Sequence, residues 1–500
     1  MTRLGIILLS ALTIIVIVFV YDLFINKKHT ILRNFPVIGH FRYWLEKIGP
    51  ELRQYLVAQN REEFPFNRTE RSYVYASAKK QNNMQGFGSD ADFRKPGHFF
   101  FKQSTFPFRV KKGHPNFDKP DYIPCAKVVG PNRKKPYHPQ SVINISAMSY
   151  GALGKNATQA NNMGAGLAGA YHNTGEGGFS EYHNSGSDVV FQIGTAYYGC
   201  RDKYSSFSMG ELIKLTQDHP NIKMIEVKIS QGAKPGKGGV LPAEKVTPEI
   251  AKVRGIEPYT ASISPGYHTA FSTTEELVTF IEWIAEKTGL PVGIKSAVGN
   301  LDFWHELSYE MSSSGRGPDF ITIDGGEGGT GAAPASFADN VSLPFEVAFT
   351  SVYSIFKHFK LENKIVFIGS AKLGLPSNAA KAFAMGVDMI NLAREILMSV
   401  GCIQAQKCHT GNCPAGIATH KWWLQKGLDV DSKKHRVENY IKALRKDILE
   451  ITHALGYEHP SEIKMSDVVV NHKDEFASKT LNEVYEYEKD TRWFYEKKRN

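Results

Sequence analysis

The chain has 500 residues, 42% hydrophobic and 12% aromatic, enough to bury one large core with extensions or two to three domains of average size. The net charge of +10 could suggest nucleic acid, but the 60 basic and 50 acidic residues are interspersed and no Lys/Arg tract dominates, so a weak preference for an anionic membrane surface or acidic partner is the better reading. Five cysteines in a chain this long exclude a disulfide framework, and three of them crowd into a twelve-residue window, which points to metal ligation in a reducing compartment.

Leu4 to Phe24 carries a single charge, Asp22, and predicts a transmembrane helix. The competing reading, a cleavable signal peptide, suffers from an overlong apolar run with no small-residue cleavage site after it. Arg3 is the only basic residue before the span, whereas Lys27, Lys28, Arg33 and Arg42 follow it, so the catalytic part is expected in the cytoplasm. Residues 1–28 thus form an anchor. Residues 29–135 form an aromatic and basic extension whose segment 41–48 reads as an amphipathic helix, either at the headgroups or packed on the main domain.

From about residue 136 the texture changes to short apolar runs that end in glycine or polar residues, each followed by a helix-like stretch. Eight candidate strands, 142–147, 168–172, 189–193, 224–229, 292–296, 320–324, 365–369 and 388–392, predict an α/β fold, a (β/α)8 TIM barrel over 136–430. The strand C-terminal ends then converge on one mouth, where they are unusually rich in glycine and polar residues. Val437, Tyr440, Ile441, Leu444, Ile448, Ile451 and Leu455 predict a helix over 433–456 within a helical extension, 431–500, whose charged tail beyond Thr480 reads as solvated.

The glycine turns after the sixth and seventh strands let backbone N–H groups approach a phosphate. Lys295, at the end of an apolar strand, must pair with an anion or shed its charge; an ion pair with Glu176 or Glu327 is the plain alternative to a cofactor. Cys402, Cys408 and Cys413, running into Pro414, are spaced to grip three irons of an incomplete cubane. Zinc is the rival, with His409 or His420 as a fourth ligand. Cys125 and Cys200 read as core thiols.

The stretch from about Ser146 to Thr419 closely resembles the FMN-binding synthase domain of glutamate synthases, and the whole chain resembles the stand-alone, membrane-anchored members of that family. The signatures are Ala147 to Gly151, Asn173 to Gly178, Lys228-Ile229-Ser230-Gln231-Gly232-Ala233-Lys234-Pro235-Gly236, Leu241-Pro242, Gly328-Gly329-Thr330-Gly331 with Pro334, and the three-cysteine run. The resemblance implies FMN and an iron–sulfur cluster of the 3Fe-4S type. It implies that Ala147, Met148, Ser149 and Lys295 border the flavin ring, that Gln231 sits at its polar edge, and that Gly329, Gly369 and Ser370 take the phosphate. Lys228, Lys234 and Arg254 fall at positions that handle the carboxylates of 2-oxoglutarate, and Glu176 at the acidic position lining the site. Lys295, Glu176 and Gln231 are accordingly the expected catalytic group.

Two departures set limits on that likeness. Val240 stands where the synthases have Gln, and residues 264–270 differ from their Ser-Pro-Pro-Pro-His-His-Asp. No glutaminase domain and no Rossmann fingerprint are evident, so ammonia or an amine donor protein, and an electron donor such as ferredoxin or a separate reductase, are expected as partners. The oligomeric state, a homo-oligomer included, stays open. The expected activity is reduction of the imine of 2-oxoglutarate and ammonia to glutamate. The alternatives are the same cofactors acting on another amine or keto acid, and a membrane-anchored electron-transfer subunit.

Overall fold

Eight apolar runs become strands of one sheet: β1 Ile143–Ile145, β2 His172–Asn173, β3 Val189–Ile193, β4 Ile222–Lys228, β5 Val292–Ser296, β6 Phe320–Asp324, β7 Val366–Ser370 and β8 Met389–Leu392. They are covered on both faces, as parallel strands with helical crossovers require, which is why they read as continuous hydrophobic runs without alternation. Each pairs in parallel with its successor and β8 pairs with β1, closing a (β/α)8 barrel. These features belong to a computed structural model that describes residues 2–26, 30–471 and 478–486.

The chain divides into two units, 1–71 and 72–500. In the first, a helix Arg3–Val20 continues through a π-turn, Tyr21–Ile25; together they are long and apolar enough to cross a bilayer, with mean hydropathy 2.9. A second helix, Gly39–Leu52, contains the segment expected to be amphipathic. Lys27 and Lys28 lie outside the described residues, as does the tail 487–500; before that tail comes a short helix, Leu481–Tyr485.

In the second unit the barrel differs from expectation at two strands. The first is trimmed to Ile143–Ile145. The second begins at His172 rather than 168, because the preceding helix runs Lys155–Leu167 and Gly169 turns the chain at φ +69°. The small residues before β2 serve helix packing. A Cβ on Gly164 would lie 2.5 Å from Val437 Cβ, so glycine is what lets the Val430–Ala454 helix press against the Lys155–Leu167 helix. That long helix starts three residues earlier than its periodicity predicts and packs on the barrel. The C-terminal extension is not purely helical: Val468–Asn471 pairs antiparallel with Phe99–Phe101 and with Ser478–Thr480.

The barrel floor is apolar. Tyr171, Val190, Met224, Phe320, Val366, Ile368 and Met389 pack there with Cys125 and Val129 from the preceding segment. Cys125 and Cys200 are buried core thiols, and burial pushes the Cys125 thiol up to about 12. Above the floor, the buried carboxylate of Glu226 on β4 accepts from Asn173 Nδ2 (2.8 Å), Gln192 Nε2 (2.7 Å) and Thr322 Oγ1 (2.7 Å), tying four strands together. Glu226→Ala strands three buried donors, each costing about 1–3 kcal/mol. A fall in denaturation midpoint well beyond that of Glu226→Gln is the expected result in paired unfolding curves.

Candidate active site

The mouth is assembled from residues just beyond the strand ends. Glu176 follows β2 by three residues, and its backbone approach is set by Asn173, whose Oδ1 accepts from Gly175 N at 3.0 Å. Lys228 ends β4 and donates Nζ to Glu176 Oε1 (2.8 Å) and Gln231 Oε1 (3.1 Å). Gln231 in turn donates Nε2 to Gly329 O at 3.1 Å. One hydrogen-bonded chain therefore joins the turns after β2, β4 and β6.

Arg254 ends the helix Pro248–Arg254, which lies between β4 and β5, and reaches back to the mouth. Its guanidinium donates to Ser262 Oγ (3.0 Å) and Tyr150 O (3.5 Å) and stacks over the Tyr198 ring at 5.1 Å, while its Nε is buried without a partner. Burial raises the pKa of Glu176, but Lys228, Lys234 and Arg254 together overcome it and hold the carboxyl below its usual range. Burial lowers Lys234 and Arg254, partly offset by Glu176. Three cations thus share a single anion in a largely dry space, an imbalance suited to an anionic ligand.

Lys295 ends up beside neither Glu176 nor Glu327. Its Nζ lies 3.6 Å from Asp324 Oδ2, both side chains being nearly buried. Asp324 Oδ2 also accepts from Gly232 N at 2.8 Å, which fixes the turn carrying Gln231. Glu327 is occupied by the backbone N–H of Phe345.

Ala147, Met148 and Ser149 follow β1, and the turn at Gly175 is packed against Ser149 N. Ser370, buried at the end of β7, has its hydroxyl 3.4 Å from Ser146 Oγ. Gly329 lies under Arg394, whose side chain would be only 2.8 Å from an added Cβ and whose Nη2 donates to Glu327 O. Arg394 brings a cation to the late-strand turns, where a phosphate would sit. It escaped sequence reading because nothing local marks it. At Gly369 the lack of a side chain is demanded by Phe345 and Leu373 packed against it.

His268, which keeps the first His of the synthases' segment while its neighbours depart from it, was also missed. Its Nε2 donates to Lys228 O at 2.8 Å, and Nδ1 lies 3.3 Å from Tyr197 OH. Burial lowers its pKa, so the neutral ring is favoured. Val240, the other departure, is half exposed on a two-stranded hairpin, Val240–Leu241 with Ser262–Ile263.

Cys402, Cys408 and Cys413 line one open recess with ≈ 240 Å³ of empty space, together with Ile403, Lys407 and Pro414. Burial pushes the Cys402 thiol up to about 11 and the Cys408 thiol upward as well. His420 donates Nε2 to Gly151 O at 2.8 Å and is committed to the barrel rim. Among the described residues no group of three or more His, Cys, Asp or Glu is placed to hold a metal ion.

Residues 110–458 match a family described as a conserved region in glutamate synthase. The chain is 39% identical over 484 residues, 90% of its length and 91% of the relative, to the glutamate synthase large subunit-like protein YerD of Bacillus subtilis (strain 168). It is 34% identical over 318 residues to an archaeal glutamate synthase [NADPH] of Methanocaldococcus jannaschii, covering 63% of this chain and 59% of that protein. A flavocytochrome b2 variant with benzoylformate aligns at TM-score 0.44 and 15% identity, over 80% of this chain and 78% of that one. The chain belongs to the glutamate synthase family and is an oxidoreductase acting on CH–NH2 donors.

Proposed function

We propose that the chain reduces the imine formed from ammonia and 2-oxoglutarate to glutamate. The observation that carries this reading is the cluster of Lys228, Lys234 and Arg254 around the single carboxylate of Glu176, a cation excess fitted to a dicarboxylate. Arg254 and Lys234 hold the two carboxylates of the oxo acid and so fix the face of its C2 carbon. Glu176 keeps Lys228 in place through Oε1 and orients the incoming ammonia, whose addition to the carbonyl expels water. Gln231, tethered to Lys228 and Gly329, sets the distance between substrate and cofactor.

FMN, when bound, supplies the hydride that reduces the C=N bond. Lys295, already paired to Asp324, would lie at the ring, and the turns with Gly329, Gly369 and Ser370 would receive the phosphate beside Arg394. The three cysteines would hold a 3Fe-4S cluster, which supplies single electrons from an outside donor. Relatives named for NADPH and for ferredoxin suggest a reductase or a ferredoxin as that donor. The apolar helix of the first unit would hold the enzyme at the cytoplasmic face of a membrane.

Anaerobic turnover with dithionite or reduced ferredoxin, ammonia and a panel of 2-oxo acids tests the reading. Glutamate formed at the expense of 2-oxoglutarate is expected. Turnover confined to another acid would favour the second reading, a different keto acid or amine, for which Val240 and the altered positions Gly266, Tyr267, Thr269 and Ala270 speak. No turnover with any acid, while electrons still pass through the protein, would leave an electron-transfer subunit.

The pH response separates the roles of Lys228 and burial. Glu176 has a depressed folded pKa, so its contribution is present above the unfolded carboxylate pKa and is lost as pH falls through the folded value. Lys228→Met removes the largest lowering influence and leaves burial, which raises the value. The acid limb of kcat/KM is therefore expected to move to higher pH; an unmoved limb would show that Lys228 does not govern Glu176.

Cys408→Ser should lose most of its iron and its reduction by a one-electron donor, while the barrel turns retain flavin that can still be photoreduced. Metal analysis of anaerobically purified protein checks this. Zinc in place of iron, or ordinary donor-driven turnover in the variant, would make the cysteines structural.

A further inference from the structure

The first unit carries an uncovered apolar stripe that chemistry at the barrel mouth does not use. Along the Gly39–Leu52 helix and the π-turn Arg53–Val57 that continues it, Phe41, Leu45, Ile48, Leu52 and Leu56 recur at three- and four-residue steps, so they share one face. Phe41 is 59% exposed and Leu56 77%, and Trp44, 54% exposed, stacks on Phe41 at 5.8 Å. Ile38, at 78%, extends the stripe toward the N-terminus.

A clasp sets the direction in which this helix leaves the apolar helix. Asp22, the one charged residue between Leu4 and Phe24, is wholly buried. Its carboxylate accepts from His40 Nε2 at 2.8 Å and from the backbone N–H of Val37 at 3.1 Å. Val37 adopts φ +65°, a left-handed conformation that β-branched residues avoid, and the turn it makes delivers that N–H to Asp22.

Two observations say what covers the stripe. It begins within a few turns of the end of a helix long enough to cross a bilayer, so the bilayer surface is within reach. The same stretch, 27–61, holds Lys27, Lys28, Arg33, Arg42, Lys47, Arg53 and Arg61 against only Glu46 and Glu51. An apolar stripe bordered by basic groups fits the headgroup boundary of an anionic leaflet. We propose that the Gly39–Leu52 helix lies in the surface of an anionic bilayer, its stripe among the upper acyl chains, at an angle fixed by the Asp22 clasp. This rests on the reading of the first helix as a membrane span.

The full chain, reconstituted into vesicles whose lipids carry bromine on the acyl chains, provides the test. Tryptophan fluorescence should be quenched by the bromolipids, and Trp44→Phe should remove most of that quenching. Quenching should be stronger with phosphatidylglycerol present than in pure phosphatidylcholine, and Asp22→Asn should weaken it while the chain still resists carbonate extraction. Equal quenching in wild type and Trp44→Phe, in a chain that resists carbonate, would place the stripe against protein and overturn the proposal while sparing the span. Equal quenching in the two lipids would overturn the anionic requirement. A chain extracted by carbonate would overturn the span and the proposal together.

Discussion

The Lys228–Glu176 ion pair is the contact on which the mouth of the barrel depends. A carboxylate so little exposed to water would take up a proton on its own account, and Lys228 prevents this at 2.8 Å. Held ionised, Glu176 offsets part of the charge on Lys234 and Arg254, which burial would otherwise make intolerable. The compensation is incomplete, and an excess of positive charge remains among these groups. Removing either partner therefore does more than delete a contact: it changes the protonation of the groups left behind.

The barrel makes such convergence inexpensive. Its parallel strands bring residues far apart in sequence, Glu176, Lys228, Lys295 and Asp324, to one rim, and Glu226 one layer below ties the strands that carry them. Asn173 links the two levels: its amide nitrogen donates to Glu226 while its oxygen receives the N–H of Gly175, next to Glu176. Packing below and charge above are parts of one hydrogen-bonded structure, which holds the reactive groups where loops alone would let them wander.

Much of this was legible in the sequence because buried parallel strands are unbroken apolar runs, and seven of the eight were placed within three residues at either end. The exception, β2, is two residues long and preceded by a glycine- and alanine-rich stretch whose smallness serves helix contact. Periodicity cannot tell that use from a strand. The site residues were named from the family likeness, but their partners were not. Lys295 was placed at a cofactor, with Glu176 or Glu327 as the alternative ion-pair partner; its carboxylate partner is Asp324, since pairing across a barrel follows strand order and tilt rather than sequence distance. Arg394, an ordinary arginine opening a helix, left no local signal at all, whereas His268 keeps the first histidine of the synthases' Ser-Pro-Pro-Pro-His-His-Asp and was overlooked because its neighbours depart from it.

The turn after β1 answers to two masters. Tyr150 O receives Arg254, Gly151 O receives His420, and Gly154 N donates to Ile417 O, so the turn is fastened to the buried arginine on one side and to the cysteine segment on the other. A segment under two constraints has little freedom to drift, because a shift on the side of Arg254 would be felt in the cysteine segment. Innovation in specificity is then pushed to positions under a single constraint, such as Val240 and the exposed Tyr267. Val240 and Tyr267 are two of the positions at which this chain parts from the synthases, and both face solvent.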